Sequence, residues 1–261
     1  MAFIDTHAHL YLEQFDDDRH EMIERTFQAG VEKVYLPNID TQSIEGMHAL
    51  EATYPGKVIA MMGLHPCSVK PEDYKIQLKT IKGHLDRRHY CAIGEIGMDL
   101  YWDKTTQSFQ EEAFLTQCEW AIEKDIPIII HSRDAIDELI ALIADFDNPT
   151  LTGIFHCFSG SESQADKILD LGFSLGIGGP VTYKKSTLPD VLSHYSPQHL
   201  VLETDAPYLP PVPHRGKRNE SSYIPLVAQK LAQIYDMTPE EIGFITSQNA
   251  MSIFKDQTQE S

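Results

Sequence analysis

The 261-residue chain carries 39 acidic against 21 basic side chains, a formal net charge of −18, which excludes a broad basic surface for nucleic acid. A polyanionic substrate would have to be held locally, by metal ions and a few basic groups. Hydrophobic residues make up 42%, an ordinary share for a globular protein, and the length suits one α/β barrel.

In chain order, short apolar or β-branched runs alternate with longer amphipathic ones. Residues 2–5 read as a first strand. Residues 17–28 read as a helix with Met22, Ile23 and Phe27 on one side and Gly30 to end it. Strands are expected at 33–37, 58–63 and 90–93, then a long loop at 99–106. Gln107–Lys124 is a helix with Phe114, Leu115, Cys118, Ala121 and Ile122 on one face. Strands at 127–130 and 152–155 enclose a helix at 134–144. A helix at 163–171, closed by Gly172, precedes strands at 174–177 and 200–202. A second loop, 206–219, is stiffened by Pro207, Pro210, Pro211 and Pro213. Thr238-Pro239-Glu240-Glu241 is a capping box with proline at the first helical position. Strands so apolar are buried on both faces, in an open doubly wound sheet or a closed barrel. Residues 257–261 read as a frayed tail.

No apolar run approaches the roughly 20 residues that span a bilayer. The amino end lacks the basic start and apolar stretch of a secretory signal. Cys67, Cys91, Cys118 and Cys157 form no CxxC pair and fit buried thiols in a reducing compartment. The expected location is the cytoplasm.

The chemistry-bearing residues gather at strand ends. In Asp5-Thr6-His7-Ala8-His9, residues two apart point to the same side of a strand, so His7 and His9 can converge on one ion. Glu95 follows the fourth expected strand, His131 the fifth, His156 the sixth and Asp205 the eighth, on the face where barrels place their chemistry. His20, His48, His84, His89 and His194 fall on helices or connectors and read as surface residues. Four imidazoles and two carboxylates are too many for one tetrahedral ion but suit two divalent ions bridged by a carboxylate, with Glu95 the natural bridge. Such a pair can activate a shared water, and Asp205 could accept its proton. The expected architecture is a single (β/α)8 TIM-type barrel domain over residues 1–261.

Several neighbours are candidates for substrate contact. His65 could donate a hydrogen bond to a phosphate or leaving group, or be a satisfied histidine in the barrel mouth. Arg133 could fork onto a phosphate or pair with a helix acid. Tyr101 and Trp102 could stack a base, although aromatics at a loop base more often pack as core. His214-Arg215-Gly216-Lys217-Arg218 is the densest basic cluster; by itself it reads as a solvated loop.

These residues carry a family resemblance. The chain resembles the TatD-type metal-dependent deoxyribonucleases, within the amidohydrolase-like metal-dependent hydrolases, almost end to end. The shared motifs are Asp5-Thr6-His7-Ala8-His9-Leu10, Gly63-Leu64-His65-Pro66, Gly94-Glu95-Ile96-Gly97, His131-Ser132-Arg133, His156-Cys157-Phe158-Ser159-Gly160 and Glu203-Thr204-Asp205-Ala206-Pro207-Tyr208. Arg215-Gly216-Lys217-Arg218-Asn219-Glu220 resembles the family's loop, with Ser221 standing where the family commonly has proline. The resemblance implies cleavage of DNA phosphodiesters, often from the 3′ end, with divalent metals; Mg²⁺ is the expected metal, Zn²⁺ or Mn²⁺ the alternatives. It also implies that His7, His9, Glu95 and Asp205 hold one ion, and Glu95, His131 and His156 the other. Arg133, Tyr101, Trp102, Arg215, Arg218 and Asn219 are then the expected substrate contacts. The expected partner is a single-stranded nucleic acid 3′ end, with no membrane and no obligate protein partner.

Two other activities suit such ligands. A hydrolase of a small amide, lactone or ester could use the same barrel, but many of those bridge their metals with a modified lysine after the fourth strand. Glu95 occupies that place and no lysine adjoins it. A phosphoesterase of the PHP type also begins with paired histidines, but its remaining ligand spacing fits less well. A metal-stabilised binding module would want a closed four-ligand site rather than six ligands.

Overall fold

The apolar runs become eight parallel strands, each followed by helix, in a computed structural model that describes residues 3–255. Ala2 of the expected first strand and the tail at 257–261 lie outside the described residues. The order is β1 (Phe3–Asp5), α1 (Arg19–Gln28), β2 (Val31–Leu36), α2 (Ile44–Thr53), β3 (Val58–Ala60) and α3 (Tyr74–Leu85). There follow β4 (Ile93–Asp99), α4 (Gln107–Lys124), β5 (Ile128–Arg133), α5 (Ile136–Phe146), β6 (Gly153–Phe155) and α6 (Glu162–Asp170). The chain continues through β7 (Ser174–Ile177), α7 (Leu188–Leu192), β8 (Leu200–Leu202), α8 (Ile224–Tyr235) and α9 (Pro239–Ile253).

Strands β1–β3 form one ladder and β4–β8 another. Backbone hydrogen bonds close both seams. Thr6 N donates to Leu202 O at 3.0 Å and His9 N to Ala206 O at 2.7 Å, joining β1 to β8. Gly94 N donates to Met62 O at 3.2 Å and Glu95 N to Asn38 O at 3.1 Å, joining the two ladders at β4. The result is a (β/α)8 barrel.

One apolar cluster fills the barrel: Ile4, Tyr35, Met61, Ala92, Ile129, Ile154 and Val201, drawn from seven of the eight strands or their edges. Phe254, just past α9, stacks on Tyr35 at 3.9 Å and plugs the amino-terminal end. A larger cluster packs the helices against the outer strand faces. Chemistry is thereby left to the carboxyl-terminal rim.

Three expectations need correction. β4 runs over Ile93–Asp99, so Glu95 lies inside the strand rather than after the expected 90–93. Helices α2, α3, α7 and α8, implied by the (β/α)8 alternation, have no bounds legible in the sequence; glycines at 46 and 83 interrupt the first two patterns, and α7 has five residues. Only Cys118 is fully buried; Cys67, Cys91 and Cys157 are half-buried, and no disulfide forms among the described residues. Of the five histidines assigned to the surface, His48 and His84 are half-buried, with His48 Nε2 2.9 Å from Tyr90 Oη. The capping box at Thr238 forms as expected, with Glu241 answering the Thr238 N–H.

Candidate metal centre

Five of the barrel's strand ends converge on the carboxylate of Glu95. Its Oε1 lies 2.7 Å from His131 Nδ1, 2.8 Å from His156 Nε2 and 3.4 Å from His65 Nε2. Its Oε2 lies 3.1 Å from His7 Nε2 and 3.3 Å from His9 Nε2. Each oxygen of one buried carboxylate therefore has its own set of imidazoles. Asp205 Oδ1 closes the second set, 3.5 Å from His9 Nε2 and 3.8 Å from His7 Nε2. Asp205 is held in the left-handed region (φ 55°) by its N–H donating to His7 O at 2.8 Å.

Hydrogen bonds behind the imidazoles decide which nitrogen faces inward. The Tyr11 hydroxyl donates to Pro37 O at 2.6 Å, so its oxygen accepts from His9 Nδ1–H at 3.0 Å and leaves Nε2 a lone pair. His131 Nε2 meets Asp99 Oδ2 at 3.0 Å, which turns the Nδ1 lone pair toward Glu95. His156 Nδ1 stands 3.5 Å from Glu203 Oε1, an electrostatic rather than a hydrogen-bonded pairing. His65 differs. Its Nδ1 accepts from Cys67 N at 3.0 Å, so in the neutral ring Nε2 carries the proton into the site. Close packing makes room for this arrangement. Gly97 (φ 139°) lies where a Cβ would overlap the His131 carbonyl, and at Gly176 a Cβ would overlap the Glu203 carboxylate.

The electrostatics follow. Burial pushes the Glu95 carboxyl up, but the surrounding imidazoles, His156 foremost, hold it well below the usual range. Burial opposes charge on His9, yet Asp205 and Glu95 lift its pKa to about 9. His156 is likewise raised despite burial, by Glu95 first, whereas burial and His156 lower His7. Inward nitrogens approach closely: His7 Nε2 to His9 Nε2 at 3.2 Å, His131 Nδ1 to His156 Nε2 at 3.4 Å. Facing lone pairs repel unless protons or cations lie between them. Imidazole nitrogens and carboxylate oxygens arranged in this way fit divalent cations.

The structure brings His7, His9, Glu95, His131, His156, Asp205 and His65 together. Tyr101 and Trp102 are 54% and 70% exposed, so core packing does not account for them. The exposed Arg133 lays its guanidinium 3.9 Å over Tyr101 and makes no salt bridge among the described residues. Arg215 is exposed and stacks on Tyr183 at 4.3 Å. Arg218 and Asn219, also expected to contact substrate, are engaged within the protein. Arg218 is forked onto Asp18 (2.6 and 2.8 Å), and the fully buried Asn219 donates to Thr204 O and Tyr208 O at 2.7 and 2.6 Å. Both are anchors of the 206–219 loop. Ser221, in the proline's place, is buried and opens a short 3-10 turn, Ser221–Tyr223. Tyr11, Asp99 and Glu203 were missed as partners of the imidazoles, although Tyr11 lies only two residues past His9, and Asp99 follows Glu95 by four, a spacing that shares a face of β4.

The sequence profile of the family described as TatD related DNase matches residues 4–255. The metal-dependent hydrolase YabD of Bacillus subtilis is 38% identical over 96% of this chain and 98% of its own. A 3′-5′ ssDNA/RNA exonuclease, TatD of Yersinia pseudotuberculosis, is 32% identical over 93% of this chain and 95% of its own. The crystal structure of the TatD homologue YjjV from Escherichia coli superposes with a TM-score of 0.90 at 31% identity, covering 98% of each chain.

Proposed function

This chain belongs to the TatD related DNase family, a family of metal-dependent hydrolases, and from that premise we propose that it hydrolyses phosphodiester bonds of nucleic acid from a free single-stranded 3′ end. The observation that carries the proposal is Glu95, whose two oxygens each face a separate set of imidazoles. In this reading His7, His9, Glu95 and Asp205 hold one divalent ion, and Glu95, His131 and His156 hold a second, with Mg²⁺ the expected metal and Zn²⁺ or Mn²⁺ the alternatives. When bound, such a pair lowers the pKa of water and offsets the charge that develops on the phosphoryl oxygens.

The chain's own groups do the rest. Asp205, within reach of the same centre as His7 and His9, accepts the proton of the attacking water. His65, protonated on Nε2 through its bond to Cys67 N, donates to a phosphoryl or departing oxygen. Of the arginines expected to contact substrate, Arg133 and Arg215 are the exposed ones left to meet phosphate at the rim. Tyr101 and Trp102 offer aromatic faces to unpaired bases.

The test is purified protein against end-labelled single- and double-stranded DNA and RNA, with Mg²⁺, Mn²⁺ and Zn²⁺ each supplied. Mononucleotides should be released from the 3′ end, and a blocked 3′ end or a chelator should stop the release. Purely internal cutting would overturn the terminal mode. No cleavage with any of the metals would overturn the nuclease reading in favour of a small amide, lactone or ester.

A further inference from the structure

Next to the metal centre lies a cavity of about 200 Å³ lined by Pro66, Lys70, Asp99, Trp102, Asp103 and Thr106, among others. One wall is shared with the reaction site. Asp99 Oδ2 meets His131 Nε2 at 3.0 Å, while Asp99 Oδ1 accepts the backbone N–H groups of Tyr101 and Trp102 at 3.0 and 3.2 Å. One carboxylate, 2% exposed, thus orients an imidazole of the centre and pins the backbone that carries the indole. Gln110 fixes Asp99 in turn, accepting from its N–H at 2.8 Å and donating to its carbonyl at 3.2 Å.

The lining has a chemical character. Trp102 is 70% exposed on a pinned backbone at the cavity wall, with the Arg133 guanidinium 5.3 Å from its ring centroid and Tyr101 packed edge-on at 4.9 Å. Pro66 supplies a second apolar surface. On the rim stands Lys70, exposed and without a salt bridge among the described residues, in a chain where acids outnumber bases 39 to 21. A stacking face beside a cation that no carboxylate holds in a salt bridge suits a flat heteroaromatic ring joined to a phosphate.

We propose that this cavity is a nucleobase subsite, in which an unpaired base of the strand end stacks on Trp102 while Lys70 meets the adjoining phosphate. This deepens the nuclease reading and rests on it for the identity of the strand. Asp99 then sets the base and the metal-facing imidazole in register. A base in a duplex reaches the cavity only after unpairing, so the subsite favours single strands.

Binding and turnover test it separately. The chain has two tryptophans, so Trp120→Phe leaves Trp102 as the reporting indole. In metal-free protein of this background, dAMP should quench the fluorescence and 2-deoxyribose 5-phosphate should not, and Lys70→Ala should weaken the dAMP response. Equal quenching by both ligands, or none by dAMP, overturns the subsite. In turnover, an oligonucleotide ending in a normal 3′ nucleotide should be preferred over one ending in an abasic residue, by roughly 5- to 100-fold in kcat/KM. Trp102→Ala should bring that ratio close to one, and Phe244→Ala, on α9 at the opposite end of the barrel, should keep it. An unchanged ratio in Trp102→Ala overturns the proposal. Specific dAMP quenching without cleavage of any oligonucleotide would keep the subsite and discard the nuclease reading.

Discussion

At the residue scale, the centre separates groups that present lone pairs from one that presents a proton. His9 and His131 are turned by Tyr11 and Asp99 so that, in the neutral ring a cation would bind, the lone pair faces inward, whereas the Cys67 N–H turns His65 the other way. Loss of metal and loss of turnover should therefore come apart. Glu95→Ala removes the carboxylate shared by both sets of imidazoles; bound divalent ion, measured by metal analysis after dialysis, should fall for both positions. Activity should drop beyond the roughly 10- to 100-fold that loss of an outer hydrogen-bond partner costs. His65→Ala should keep its metal content and lower kcat by about 100- to 1,000-fold, as removal of a single donor to a developing oxyanion does. Equal metal loss in both variants would refute the distinction. Spacing in the sequence made the six inward-facing residues and His65 legible, because each stands at the end of an apolar run. It could not disclose tautomers, which depend on Pro37 O and Asp99, brought in by the fold, and on the local turn that aims Cys67 N at His65.

At the element scale, β4 departs most from what propensity suggests. Gly94, Glu95, Gly97 and Asp99 are poor strand formers, so the apolar pattern in the sequence stops at residue 93. The strand instead runs to Asp99 with all seven residues buried, because pairing with β5 and the fit of Gly97 against His131 outweigh local preference. The 206–219 loop shows the opposite case: its prolines revealed an ordered excursion, but not what holds it. Tyr183 Oη donates to Pro210 O on one side, and Arg218 and Glu220 pair with Asp18 and Arg25 of the α1 region on the other. The Arg218 guanidinium holds the Asp18 carboxyl down at about 2. A depressed carboxylate contributes stability above its ordinary pKa near 4 and loses it as pH falls through the folded value. Both side chains are about a third exposed, at 29% and 32%, so the pair is worth on the order of 1 kcal/mol or less. Arg218→Ala should accordingly lower Tm at pH 7 by no more than about 2–4 °C. That gap should stay constant down to about pH 4 and shrink between about 4 and 2. A gap that widens with acid, followed by circular dichroism melts, would show that Asp18 is not the partner that matters.

At the scale of the whole molecule, the net charge of −18 constrains how a polyanion can be held. Of the basic loop cluster, Arg218 is committed to Asp18 and the His214 ring stacks on Tyr223 at 4.0 Å, leaving Arg215 and Lys217 exposed. Arg133 and Lys70 are exposed beside the centre and its neighbouring cavity, and Lys104, Lys184 and Lys185 are exposed in adjoining loops, so the cations are spread over several separate loops. A long duplex laid across the surface would meet acids far more often than bases. A strand end, by contrast, needs to bring only the phosphates next to the centre. Each phosphate neutralised on a single strand contributes about −0.7 to the slope of log affinity against log salt. One or two such contacts predict a slope of roughly −0.7 to −1.4 for kcat/KM on a single-stranded oligonucleotide, measured between about 50 and 200 mM salt at saturating metal. The slope should not steepen as the oligonucleotide is lengthened, because added phosphates fall beyond the cations at the rim. A slope that grows with length would mean that the strand follows a basic path along the surface, and the terminal-pocket account of substrate binding would fall with it.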